Sequence, residues 1–189
     1  MDLEIFGIII RGIEREVILF MEQHPDNQMM IFHGNFANEI YNKVLEFSIE
    51  VGCNYFEFCL RHDIDFLGDG TYSYSKNVEY LMEELASFLV LESQTNSWVT
   101  GHIIARDKEA HVYRYHLNQE SLRILLKYSN AMNSWCGPNL PEDLVIFQED
   151  KPWLGFIGHE EQSFWFLNSK EKAKILALGL PLFDEEEFI

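Results

Sequence analysis

The last third of the chain constrains the fold most. Three short apolar and aromatic runs, residues 144–148, 153–158 and 163–167, are separated by brief polar stretches, one of them Glu149-Asp150-Lys151-Pro152. Such a series reads as a three-stranded meander. A helix follows it with both ends marked. Asn168 and Glu171 stand at capping-box spacing, Gly179 can terminate the helix, and Pro181 lies just beyond.

The rest of the chain mixes strands and helices without strict alternation. Phe36, Ile40, Tyr41, Val44, Leu45, Phe47 and Val51 follow helical spacing, so a helix over residues 36–51 is expected, capped by Asn35 and ended by Gly52. Strands are expected before it at 29–33 and after it at 54–60. A second helix starts at Ser75 or Asn77 and runs to about residue 91, with Val78, Leu81, Met82, Leu85 and Leu89 as its apolar stripe. Residues 98–105 and 110–117 read as the arms of a hairpin, and Asn118 caps a short helix to about Tyr128. Near the N-terminus a strand at 3–10 and a helix at 13–23 are favoured. The expected fold is a single α+β domain over residues 1–189, with a mixed sheet and four to five helices.

Composition supports a folded core and limits the partners. The chain has 189 residues, 47% of them hydrophobic and 14% aromatic, which is ample to offset ordering entropy. Its 31 acids face 14 bases, for a net charge of −17. The excess is concentrated in residues 1–95, with 17 acids and 5 bases, against 14 and 9 in residues 96–189. Such a surface repels phosphate backbones and anionic membranes and attracts a basic partner. Three cysteines, Cys53, Cys59 and Cys136, do not make a disulfide framework, and a reducing, cytoplasmic setting is expected. The apolar stretch at 3–20 is broken by Glu4, Arg11, Glu14, Arg15 and Glu16, so it reads neither as a membrane span nor as a secretory signal.

The motifs that carry chemistry fall short one by one. Trp135-Cys136-Gly137-Pro138 resembles the thioredoxin motif over four positions, but Asn139 stands where the resolving cysteine belongs. His62, Asp63 and Asp65, leading to Gly68, could serve a hard cation or acid–base work. Counted from Asp63 as a calcium loop, however, the segment has Leu67 and Tyr74 at ligand positions. His159 beside Glu160 after a strand could form a general base and its orienting acid. The cysteine and histidine spacings supply no zinc pair, and no glycine-rich phosphate loop occurs; no cofactor is expected.

The expected hairpin carries the most unusual surface. Alternation would place Trp98, His102, His111, Tyr113 and Tyr115 on one face, as an aromatic and imidazole patch suited to partner contact. In size, acidity and aromatic content the chain is similar to bacterial immunity proteins and nucleic-acid mimics, a likeness of class without a shared motif. Two functions are therefore carried forward. One is a non-enzymatic interaction protein that binds a basic protein. The other is a small hydrolase or metal-dependent enzyme using His62, Asp63 and Asp65, or His159 and Glu160.

Overall fold

A computed structural model describes residues 27–66, 68, 70, 73–103 and 108–184. The strand and helix expected at 3–10 and 13–23 lie outside them. In chain order the strands are β1 (Asn27–His33), β2 (Tyr55–Arg61), β3 (Leu89–Thr95), β4 (Ser97–Trp98), β5 (Gly101–His102), β6 (Ala110–His116), β7 (Glu142–Gln148), β8 (Lys151–Ile157), β9 (Gln162–Asn168) and β10 (Phe183–Asp184). The helices are α1 (Asn38–Glu50), α2 (Lys76–Leu85), α3 (Gln119–Tyr128) and α4 (Ser169–Ala177). Eight strands form one sheet in the order β10-β1-β9-β8-β7-β2-β6-β3. Every pairing among them is antiparallel, where a mixed sheet was expected. None of the described helices is long and apolar enough to cross a membrane.

The C-terminal meander forms as its sequence implies. β7, β8 and β9 are successive neighbours, and α4 follows at once. Asn168 accepts from the Lys170 and Glu171 amides, and Glu171 accepts in return from the Asn168 amide. The meander sits between the two strands that flank α1, so β1 and β2 are not neighbours. Helix α1 starts later than expected, with Ala37 at its N-cap. Asn35 instead accepts a hydrogen bond from the Asn133 amide.

Helix α2 also ends earlier than expected. It stops at Leu85, a single 3₁₀ turn follows, and residues 89–95 form β3. The helical stripe breaks there: Val78, Leu81 and Leu85 are buried, but Leu89 is exposed. β3 takes the place expected for residues 98–105 and pairs with β6, with Thr95 opposite Ala110 and Glu92 opposite Tyr113. The expected hairpin is thus not formed. Trp98 and His102 belong to a separate two-residue ladder between β4 and β5.

The core lies on the helical face of the sheet. Tyr41 and Val44 from α1, Leu81 and Leu85 from α2, Leu122 and Leu125 from α3 and Ile175 from α4 join alternate strand residues such as Phe56, Phe58, Ile146 and Trp165 in one cluster. Trp135 is fully buried and donates through Nε1 to the Tyr41 hydroxyl at 2.7 Å. A smaller cluster of Cys59, Ile103, Ala110 and Val112 occupies the opposite face, with Trp98 packed against it.

Candidate functional site

Three neighbouring strands converge at one end of the sheet, where β2 and β8 finish and β7 begins. Residues 142 and 143 open β7. The register of β2 against β7 shifts between Glu57 and Cys59, and Glu142 stands opposite Cys59. Asp143 adopts a left-handed backbone, φ 58°, which a non-glycine residue rarely takes. A regular strand would send adjacent side chains to opposite faces. The bulge and the left-handed residue suspend that alternation. Carboxylate oxygens of both Glu142 and Asp143 lie within 4.8 Å of each other and of a His159 ring nitrogen.

Local packing holds this arrangement. Gly158, at the end of β8, has no room for a side chain: a Cβ there would meet the Trp135 carbonyl oxygen at 2.4 Å. That close approach brings the 3₁₀ turn of residues 158–160, with His159, against the loop before β7. The Asp143 amide donates to the same Trp135 carbonyl at 3.1 Å. Glu142 Oε1 accepts from the Gly137 amide at 2.7 Å, and Asp143 Oδ2 accepts from Thr100 Oγ1 at 2.8 Å. Asp143 Oδ1 is buried without a hydrogen-bond partner, and so is the Trp98 indole nitrogen.

Both acids are almost fully buried, each 4% exposed. Burial pushes Asp143 up to about 7, against the Thr100 hydrogen bond and the nearby Gly158 amide and Trp98 indole. Those last two favour the carboxylate through their dipoles, yet neither closes a hydrogen bond of good geometry. Burial also pushes Glu142 up to about 6, opposed first by the Gly137 amide and reinforced by the Asp143 charge. Two buried acids of near-neutral pKa beside an imidazole can share a proton or hold a cation.

The residues singled out by sequence fare differently. Asp63 is occupied by Arg61, and Asp65 accepts from the Gly68 and Gly70 amides at 2.8 and 2.6 Å, closing a turn. The His62 ring lies against His111, with centroids 5.4 Å apart, and not beside His159. His159 Nε2 is 3.8 Å from Glu160 Oε1 and is half exposed. The five-residue patch is divided. His111 and Tyr113 both approach Glu92, but Tyr115 is 1% exposed and packs on Phe56 and Phe58. Trp98 packs with Val112 while Tyr113 joins the helical side, so the sheet separates them. His102 is exposed on β5.

Cys136 borders a hollow of about 310 Å³ that Asn77, Tyr128 and Asn139 help to line. Burial and the nearby Glu142 and Asp143 charges push its thiol up, and its Sγ donates to the Asn133 carbonyl. A reactive thiolate has the opposite setting.

Glu142 and Asp143 escaped the sequence reading, which starts the first meander strand at residue 144, just after them. Only the observed register relates them to the turn after β8. Following the meander register back from Val145 opposite Gly155 places 142 and 143 across from 158 and 157. No protein-family model, curated protein or solved structure matches the chain.

Proposed function

We propose that this chain is a non-enzymatic binding protein that takes an extended basic segment of another protein onto the free edge of its sheet. One observation carries the reading. Among the described residues β3 ends the sheet, with β6 as its only neighbour. Its first three residues expose apolar side chains to solvent: Leu89 44%, Val90 43% and Leu91 53%.

An edge strand offers unpaired amide and carbonyl groups as a template for another strand, and monomeric proteins guard such edges with lysine, proline or a short strand. β3 has seven residues and neither lysine nor proline. Strand addition draws affinity from main-chain hydrogen bonds and specificity from alternate side chains. The surroundings select a cationic guest. Glu92 projects from β3 itself, and α2, which leads into β3, exposes Glu79, Glu83 and Tyr80. The net charge of −17 adds long-range attraction for the same guest. An enzyme built on His62, Asp63 and Asp65 has less support, because Asp63 is paired with Arg61 and Asp65 closes a turn.

The test uses a synthetic peptide of alternating lysine and valine, with a proline-interrupted version as control. The alternating peptide is expected to bind, with association slowed by salt, and Val90→Lys is expected to weaken it at least tenfold. Equal binding of both peptides, or binding unchanged in Val90→Lys, would overturn the reading.

A further inference from the structure

We propose that Glu142, Asp143 and His159 form a binding site for one divalent transition-metal ion of the zinc or manganese kind. The site is independent of the edge of β3. Its donor set is one imidazole nitrogen and two carboxylates, which suits zinc and manganese. Calcium takes six to eight oxygens, and the imidazole opposes it.

The geometry is close to what one ion requires. Ligand bonds of about 2.0–2.2 Å at tetrahedral angles put any two donors on one metal roughly 3.3–3.6 Å apart. The three side chains offer donor atoms within 4.8 Å of one another, so a contraction of at most about 1.5 Å brings them onto one ion. The two acids are held by Gly137 and Thr100, while His159 sits half exposed on a short turn and can supply the movement.

Burial supplies the independent reason. Buried charges are normally paired or bound to metal. Among the described residues, neither Glu142 nor Asp143 has a cation within ion-pair distance, and Arg61 is forked onto Asp63. Asp143 Oδ1 is buried without a hydrogen bond of good geometry, the Gly158 amide and Trp98 indole being near but poorly aligned, although buried polar atoms nearly always have one. Its other oxygen is satisfied by Thr100, which leaves Oδ1 for a ligand. A divalent ion there would neutralise two like charges, satisfy the orphaned oxygen and keep open positions toward the solvent side of His159. The ligands come from β7 and the turn after β8, so a bound ion would also clamp one end of the meander.

The experiment is calorimetric titration of the chelator-treated full-length protein with Zn²⁺, Mn²⁺ and Ca²⁺ separately. Melting temperatures are recorded alongside, since an ion that binds only the folded state raises them. One equivalent of Zn²⁺ or Mn²⁺ is expected to bind and raise the melting temperature, and Ca²⁺ is expected to do neither. His159→Ala replaces a half-exposed ring and should fold; it is expected to weaken binding at least tenfold. His116→Ala, an exposed residue opposite Tyr55 at the far end of β2 from Cys59 and Glu142, is expected to bind like the parent. Co²⁺ absorption tests for nitrogen–oxygen coordination and should vanish in His159→Ala. Absence of stoichiometric Zn²⁺ or Mn²⁺ binding, or equal affinity in the two histidine variants, overturns the assignment.

Discussion

Arg61 closes on Asp63 with both arms of its fork, Nε at 3.0 Å from Oδ1 and Nη2 at 2.6 Å from Oδ2, two residues apart in sequence. Both side chains are largely shielded, and the same guanidinium lies over the Trp98 ring at 5.5 Å. Burial raises the Asp63 pKa, but the Arg61 hydrogen bonds and charge outweigh it and hold the carboxyl below its ordinary value. A carboxyl depressed in the folded state contributes stability above its unfolded pKa of about 3.9 and loses it as pH falls through the folded value. Asp63→Asn is therefore expected to cost about 1 kcal/mol at pH 7. The deficit should shrink below pH 4 in urea unfolding series of both proteins. A deficit that stays constant down to pH 2 would show that the ion pair is not its source.

Tyr115 and Leu91 separate core from edge. Tyr115 is buried between Phe56 and Phe58, so Tyr115→Ala is expected to cost about 3–5 kcal/mol in chemical denaturation. Leu91 is among the most exposed apolar residues described, and Leu91→Ala should change stability by less than about 0.5 kcal/mol. The same Leu91→Ala protein should lose affinity for the alternating lysine–valine peptide. Equal destabilisation by the two substitutions would mean that β3 is covered in solution.

Gly158→Ala probes the close approach behind the acidic pair. The added methyl meets backbone, the Trp135 carbonyl, so no side-chain rotation relieves it. A loss of at least about 2 kcal/mol is expected, together with weaker metal binding because His159 is displaced. A variant as stable as the parent would show that the loop before β7 yields freely.

The thiols should react in two classes. Burial, the largest effect on each, raises Cys53 and Cys59 far above the ordinary thiol range. Only Cys136 is partly accessible. A thiol reagent at neutral pH is expected to modify Cys136 alone and slowly, with the other two reacting only after denaturation. No disulfide reductase turnover is expected, and activity lost in Cys136→Ser would refute this.

What the sequence disclosed was local. The meander and α4 were readable because turn residues and the Asn168–Glu171 box act within a few positions. The α2–β3 boundary was not, because Leu89 continues the spacing of Val78, Leu81 and Leu85. Residues 89–95 form a strand by pairing with β6, a partner that lies outside that window. The same holds for the acidic pair. Glu142 and Asp143 owe their burial and raised pKa to Gly137, Thr100 and Gly158, which no short window of sequence joins to them. Tyr115 belongs to the face that alternation assigns it, with His111 and Tyr113. Whether that face meets water or helix is decided by α1–α3, outside the strand itself.

The order of strands also sets the order in which the molecule can be completed as it leaves the ribosome. β1 is the first strand described, yet its neighbours, β9 and β10, begin at residues 162 and 183. β2, β3 and β6 can join into a small sheet once residue 116 has emerged. Among the described strands, β1 must wait for the meander before it gains either of its neighbours. Closure of the sheet thus depends on contacts far apart in the chain, the kind that form slowly and leave apolar strands uncovered until their partners arrive.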